Sequence, residues 1–237
     1  MKIGYTEHRV RFLWFVALSL VCLAHADDRG RELLEKHFEW KETATYRLVY
    51  VVGTGEKATR FEIVQRGNPD GTVFRRQTSF RPRNYFNNAA GKGELRRAWV
   101  KIYTNEGVAD YQICEAGPSI GFRYAGGIPR DVIKPDDEIT ATASDYNGVP
   151  CWKITQRRAN GYVTERIVGQ EPMCEYSSRM FSAGGASQGN VRLESIEFAP
   201  ELSDDEFAVP KDAKIRRVKN EEEARGKYGD LTVTFSV

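Results

Sequence analysis

Apolar residues recur at every second position through most of the chain, and the interruptions of that rhythm mark its turns. From Val191 to Phe198 the residues Val191, Leu193, Ile196 and Phe198 step by two on either side of a skipped place at Glu194 and Ser195. That is the pattern of a half-buried strand carrying a bulge. The same period predicts strands over Thr43–Val52, Arg60–Arg66, Thr72–Phe80, Ala98–Thr104, Val108–Glu115 and Ser119–Tyr124. It resumes over Thr140–Tyr146, Val149–Arg157, Tyr162–Val168, Met173–Ser182 and Asn190–Phe198. Asn68-Pro69-Asp70-Gly71, Asn105-Glu106-Gly107 and Asn160-Gly161 supply the turn residues between neighbours.

Two stretches are predicted to be helical by a different spacing. In Asp28–Lys41, Leu33, Leu34, His37, Phe38 and Trp40 gather on one side and Arg31, Glu32, Glu35 and Lys36 on the other, an amphipathic helix able to lie across a sheet. After Pro200, Ser203 and Glu206 have the spacing of a capping box flanked by Leu202 and Phe207 as a hydrophobic staple, which predicts one helical turn ending at Val209-Pro210. Gly126–Ile139, bracketed by Pro129 and Pro135 and closed by Asp136-Asp137-Glu138, reads as a short helix or lid segment whose carboxylates make a helix start or a solvated turn. Arg81–Gly93 reads as a long polar loop, and Ala183–Gly189 as a flexible hairpin tip.

About ten or eleven strands exceed what a flat sheet holds without curling. The expected fold is mainly β with α+β character: a curled antiparallel sheet, an incomplete β-barrel with helices over its concave face. The residues that carry a resemblance lie in the last third of the chain. They are Phe198-Ala199-Pro200-Glu201-Leu202-Ser203-Asp204 with Phe207 and Pro210, preceded by Gly148-Val149-Pro150-Cys151-Trp152-Lys153-Ile154, the Asn160-Gly161 turn, and Tyr162–Val168 leading to Pro172. This closing pattern resembles the LolA/LolB-like outer-membrane lipoprotein-sorting family. The resemblance implies a half-barrel whose cavity takes acyl chains of lipoproteins or related lipids. The inward positions would then be Leu48, Tyr50, Phe61 and Ile63 near the start, Val100, Ile102, Tyr111, Ile113 and Phe122 in the middle, and Trp152, Ile154 and Phe198 toward the end. The chain departs from the family pattern beyond Pro210: Lys211–Val218 is basic, Asn220–Lys227 is charged and helix-compatible, and Leu231–Val237 alternates as a final strand.

At the amino end Arg9 and Arg11 precede an apolar run from Phe12 to Ala24, and Ala24-His25-Ala26 offers small residues at the positions a signal peptidase reads. The run has 13 residues, where a spanning helix needs roughly 20. A signal peptide over residues 1–26, cleaved after Ala26, is therefore expected, leaving residues 27–237 as a single domain with an extension from about 211 in a periplasmic location. Removing Lys2, Arg9, Arg11 and Glu7 leaves 32 of 35 basic and 32 of 33 acidic residues, so the mature chain is formally neutral. A neutral chain with dispersed arginines gives no electrostatic footprint for nucleic acid.

His37 is the only histidine after processing, beside Phe38 on an apolar helix face where a packed role is expected, and no nucleophile–base–orienter set can be assembled around it. Cys114, Cys151 and Cys174 are too dispersed for a structural zinc site, and Cys151 and Cys174, two strands apart, should not be joined. No enzyme activity, metal or cofactor is implied. The leading expectation is a carrier or binder of lipid or lipoprotein acyl chains in lipoprotein sorting. The second is an envelope sensor or assembly partner that binds protein through its surface and carboxy-terminal tail.

Overall fold

The computed structural model describes residues 28–53, 58–80, 96–114 and 118–225. The signal peptide, the loop expected over 81–93, and the tail strand over 231–237 lie outside the described residues. Helix α1 spans 28–43. Twelve strands follow: β1 (Tyr46–Val52), β2 (Thr59–Gly67), β3 (Val73–Phe80), β4 (Arg96–Thr104), β5 (Gly107–Cys114), β6 (Ile120–Tyr124), β7 (Glu138–Tyr146), β8 (Val149–Arg157), β9 (Val163–Gly169), β10 (Glu175–Phe181), β11 (Ser187–Phe198) and β12 (Lys214–Arg217). The described part of α2 covers 221–225. The strands form a large antiparallel sheet, apart from one parallel pair, and the sheet is unclosed, with β12 and β7 at its ends. The chain divides into two compact units, one holding residues up to Glu39 with Val132–Gln188, the other Trp40–Asp131 with Gly189 onward.

In the first unit β7, β8, β9 and β10 make an antiparallel meander. The β7–β8 hairpin closes through Asn147 and Gly148, both at positive φ (54° and 85°), where a mirror-image turn matches the twist of the strands. On this meander Ile139, Ile154 and Val168 are buried against Leu34 and Phe38 of α1. Gly30 permits that approach, since a Cβ there would sit 2.6 Å from the Ile139 carbonyl oxygen. His37 is the packed residue its sequence position predicts: it is buried, and Nδ1 donates to the Met173 carbonyl at 2.7 Å, because a carbonyl can only accept. The helix expected over Gly126–Ile139 does not form. Instead 126–137 is irregular, and Asp137 is buried rather than solvated, accepting from Gln156 Nε2 (2.7 Å) and the Lys134 N–H (3.1 Å). A carboxylate with two such donors can leave water, which a count of acidic residues does not reveal. Cys151 stands opposite Gly169, whose N–H bonds the Cys174 carbonyl at 2.8 Å, and both thiols are buried and free.

In the second unit the hydrogen-bonded order is β12-β6-β5-β4-β3-β2-β1-β11. The bulge expected in β11 is present: Val49 pairs with Ser195 and Tyr50 with Leu193, leaving Glu194 as the extra residue. Ala199 then takes φ 47° and Pro200 ends the ladder. The capping box does not form. Ser203 makes no side-chain cap over the 3-10 turn Asp204–Phe207. Its supposed partner Glu206 instead accepts from Arg47 (3.0 Å) and pairs with Arg76 (2.9 Å). What holds this turn is burial of Phe207 among Val64, Val100, Ile102, Ala109 and Tyr111, with Leu202 and Val209 beside it. The basic stretch after Pro210 contains a strand the alternation did not predict, β12, parallel to β6. Its four residues are too few for a period-two signal.

Candidate functional site

The register of the second unit gives its sheet two distinct faces. Successive side chains alternate across a strand, so each cross-strand row belongs to one face. Tyr46, Leu48 and Tyr50 share theirs with Gln65, Ile63 and Phe61, then with Arg75, Gln77 and Ser79, and then with Tyr103, Lys101 and Trp99. Continuing across β5 and β6 the same face presents Val108, Asp110 and Gln112, and Tyr124, Phe122 and Ile120. Ala224 of α2 and Val218 pack on it against Tyr103, Val108, Phe122 and Tyr124, so it is called the α2 face. The opposite face carries Val64, Val100, Ile102, Ala109 and Tyr111 beneath Phe207.

The twelve residues expected to line one cavity are therefore not brought together. Leu48, Tyr50, Phe61, Ile63, Phe122 and Phe198 belong to the α2 face. Val100, Ile102, Tyr111 and Ile113 belong to the other, in the core filled by Phe207. Trp152 and Ile154 lie in the first unit's cluster around Leu34 and Phe38, with Arg29 stacked over the Trp152 ring at 4.7 Å. No single cavity can use both faces of one sheet. The alternation within each strand is legible, but which phase of one strand matches which phase of the next is set by pairing.

The α2 face holds a cleft of about 340 Å³ lined by Phe61, Gln77, Ser79, Trp99, Lys101, Tyr103, Asp110, Glu221 and Arg225. Of the twelve expected residues only Phe61 lines it. Asp110, 3% exposed, is its centre. The carboxylate accepts from the Trp99 indole N–H, from Lys101 Nζ (3.3 Å) and from the Tyr124 hydroxyl (3.3 Å). Lys101 in turn bonds Glu221 at 2.9 Å, and Glu221 pairs with Arg225 at 2.8 Å. A buried carboxylate is tolerable only when its lone pairs are met, and here three donors meet them. Burial works against the Lys101 ammonium, yet the Glu221 hydrogen bond and the Asp110 charge outweigh it and push its pKa up. Tyr124 is pushed up to about 12 by burial and then by Asp110, and Tyr103 is raised chiefly by burial. Glu221 is lowered by hydrogen bonds from Lys101 and Arg225.

Around these charges two neutral groups on β3 are differently placed. Gln77 and Ser79 line the cleft on one side of the strand, and the Ser79 hydroxyl oxygen is buried with no hydrogen-bond partner among the described residues. A second hollow of about 320 Å³ at the β4–β5 turn is floored by Ile102 and Phe207. Its charges close on themselves, Arg123 with Glu106 (3.2 Å) and Asp204 with Arg66 (2.7 Å).

His37 is packed in the first unit, and no group of three or more potential metal ligands occurs among the described residues. No helix among the described residues is long and apolar enough to cross a membrane. Sequence reasoning missed the cleft because it followed aliphatic residues. The available signal was the opposite phase, in which Trp99, Lys101 and Tyr103 of β4 match Gln112, Asp110 and Val108 of β5.

No protein-family model matches the chain, and no curated protein matches it. Solved structures do. MucB aligns at 12% identity with a TM-score of 0.53, covering 78% of this chain and 64% of MucB. The MucA/MucB complex of Pseudomonas aeruginosa gives 12% identity, a TM-score of 0.55, and 78% and 62% coverage. The chain thus spans less than two thirds of the MucB chains it matches. An uncharacterized conserved protein from Thermus thermophilus aligns at 13% identity and a TM-score of 0.55, over 80% of this chain and 99% of that one. A putative outer membrane lipoprotein-sorting protein domain from Vibrio parahaemolyticus matches at 10% identity and a TM-score of 0.37, over 76% and 97%. At these identities the likeness is one of fold alone.

Proposed function

We propose that the protein is an exported, non-catalytic binding protein of the bacterial envelope, and that its α2-face cleft receives a segment of a partner polypeptide. The leader-like start at Arg9 to Ala26 supports export to the periplasm, with residues 27–237 as the mature chain. The observation that carries the choice of ligand is the chemistry of the cleft wall. Phe61, Trp99 and Tyr103 alternate with Lys101, Asp110, Glu221 and Arg225, a mixture suited to a peptide, which offers both apolar side chains and hydrogen-bonding backbone. Burying an acyl chain contributes about 0.8 kcal/mol per methylene only where it meets apolar surface. Against this wall it would strip the remaining water from four charged side chains and return nothing to them. Fold likeness to a protein also solved as the MucA/MucB complex accords with a protein partner.

Lipid or lipoprotein acyl chains remain the competing occupant that the experiment must separate. A photo-crosslinking amino acid placed at Gln77 in the exported protein, activated in its own host cells, reports what the cleft holds. Adducts of polypeptide mass support the proposal. Adducts of lipid mass, together with uptake of a fluorescent fatty acid by the purified protein, would overturn it in favour of a carrier.

A further inference from the structure

The unclosed sheet ends in two edges that differ in chemistry. β12 has only four residues, three of them Lys214, Arg216 and Arg217, and a short, cationic strand is one way a fold guards an edge. β7, at the other end, has nine residues, Glu138–Tyr146, with no proline, lysine or arginine and an unbroken register against β8. From Thr140 to Tyr146 none of its residues is buried. The direction of its backbone groups follows from Pro150. That residue is opposite Asp145, and its carbonyl accepts from the Gln170 N–H at 3.1 Å, so it is turned toward β9. In an antiparallel pair, residues directly opposite turn their backbone groups either toward each other or both away, in alternation. Asp145 is therefore turned away from β8, and with it Ala143, Ala141 and Ile139. Ile139 lies against Gly30 of α1, where a Cβ would meet its carbonyl oxygen at 2.6 Å. The N–H and C=O groups of Ala141, Ala143 and Asp145 remain, spaced by about 6.8 Å from one residue to the next, and no strand among the described residues takes them.

We propose that β7 is a docking edge for an extended polypeptide segment of a partner, which adds as a further antiparallel strand and places a lysine or arginine beside Asp145. Its occupant is independent of what the α2-face cleft holds. Three features select this partner. The open ladder calls for a backbone with its own N–H and C=O groups at the same spacing, which a lipid lacks. On the face covered by α1, one cross-strand row holds Val168, Trp152 and Ala143, and the next holds Arg166, Ile154 and Ala141. Each row stops at an alanine, and Ala141 and Trp152 are only partly buried, so apolar side chains on an added strand would lengthen the cluster around Leu34 and Phe38. Finally, the Asp145 carboxylate is exposed, held in place by the Gly148 N–H at 2.8 Å, and paired with no cation among the described residues. A second copy of β7 would bring Glu138 and Asp145 and no cation, whereas a basic residue opposite Asp145 gains a cross-strand charge pair.

The test uses the mature protein and the peptide acetyl-Lys-Thr-Val-Thr-Val-Thr-amide, whose lysine and two valines would stand opposite Asp145, Ala143 and Ala141. Amide hydrogen exchange is followed by NMR. In the free protein the amides of Ala141, Ala143 and Asp145 should exchange about tenfold faster, or more, than those of Thr142 and Ser144, which point to β8. Millimolar peptide should slow the three fast amides and leave the other two unchanged. N-methylation of the first valine, whose N–H faces β7, should abolish that protection, whereas N-methylation of the second threonine, whose N–H faces away, should preserve it. Glutamate in place of the peptide lysine should weaken binding about threefold at low salt, and Asp145→Asn, which keeps an acceptor for Gly148, should remove that difference. Amides already protected in dilute free protein, no slowing by the peptide, or equal effects of the two N-methylated peptides would overturn the docking edge. Protection that grows with protein concentration alone would overturn the partner in favour of a second copy. Equal affinities of the lysine and glutamate peptides would overturn its basic residue.

Discussion

Truncating Phe207 should unfold the closing segment, whereas removing the Ser203 hydroxyl, which the local sequence pattern offers as its cap, should do almost nothing. Phe207 is 6% exposed and packs on Val64, Val100, Ile102, Ala109 and Tyr111. Its ring also meets Phe74 edge-on at 5.9 Å, with the Arg66 guanidinium 5.2 Å from both rings. Phe207→Ala removes that area and leaves a cavity bounded by β2, β4 and β5, which costs about 3 to 5 kcal/mol. For a domain with a total stability of about 5 to 15 kcal/mol and a urea dependence of about 2 kcal/mol per molar, the midpoint should fall by about 2 M. A real capping box would lose about 0.5 to 2 kcal/mol in Ser203→Ala. Because Ser203 makes no cap, that variant should shift the midpoint by less than about 0.3 M, within the spread of ordinary surface substitutions. Glu206→Gln should fall between the two, at about 1 to 2 kcal/mol, since it takes a carboxylate from the partly buried Arg47 and Arg76 while Glu62 still faces both. Urea titrations of the three variants decide the order. Equal effects of Ser203→Ala and Phe207→Ala would show that the turn is held by its cap and that the packing argument is mistaken.

Gly30→Ala should destabilise despite the better helix propensity of alanine, by about 1 to 3 kcal/mol, because the new Cβ would meet the Ile139 carbonyl oxygen at 2.6 Å; thermal melts that rise would refute this close approach. Cys174 has its thiol pushed up to about 12 by burial, then by Glu175 and Cys151, and Cys151 is raised mainly by burial. In a Cys114→Ser background, alkylation of Cys174 at pH 8 should thus be about three orders of magnitude slower than that of a free cysteine until denaturant is added, and rapid native labelling by mass spectrometry would contradict it. Glu221 has its folded pKa lowered from 4.5 by Lys101 and Arg225, so its contribution is present above about pH 4.5 and lost as pH falls through the folded value. The stability gap between wild type and Glu221→Gln should accordingly be full at pH 7 and close in more acidic solution. A gap that stays constant from pH 7 down to acid unfolding would break the link.

Strand existence and the odd details of single strands were legible, because they depend on residues close together in the chain. The bulge at Glu194 is written in the skipped step between Leu193 and Ile196, and β8 begins and ends where the alternation does, at Val149 and Arg157. Relations between strands were not legible to the same degree. Val100 and Ile102 alternate as cleanly as Leu48 and Tyr50, yet they face the other way, since a one-residue difference in pairing moves a whole strand's apolar set across the sheet. Side-chain partners with large sequence separation were hidden for the same reason. Ser203 and Glu206 satisfy a local motif, but Arg47 and Arg76, about 160 and 130 residues away, compete for the carboxylate and win.

The cleft shows what this difference means for function. Aliphatic alternation identifies the positions a fold needs for its core, and in β4 and β5 those positions, Val100, Ile102 and Tyr111, are occupied beneath Phe207. The positions left over in the same strands, Trp99, Lys101 and Asp110, are polar or amphipathic, are not required to fill anything, and are nevertheless held in a fixed constellation with Glu221. Holding a lysine between two carboxylates on a half-buried sheet surface costs desolvation that a plain core would avoid. An arrangement of that cost is what the proposed binding role would call for. The useful sequence signal for such a site is thus a strand whose minor phase alternates aromatic and charged residues, opposite a neighbour that does the same.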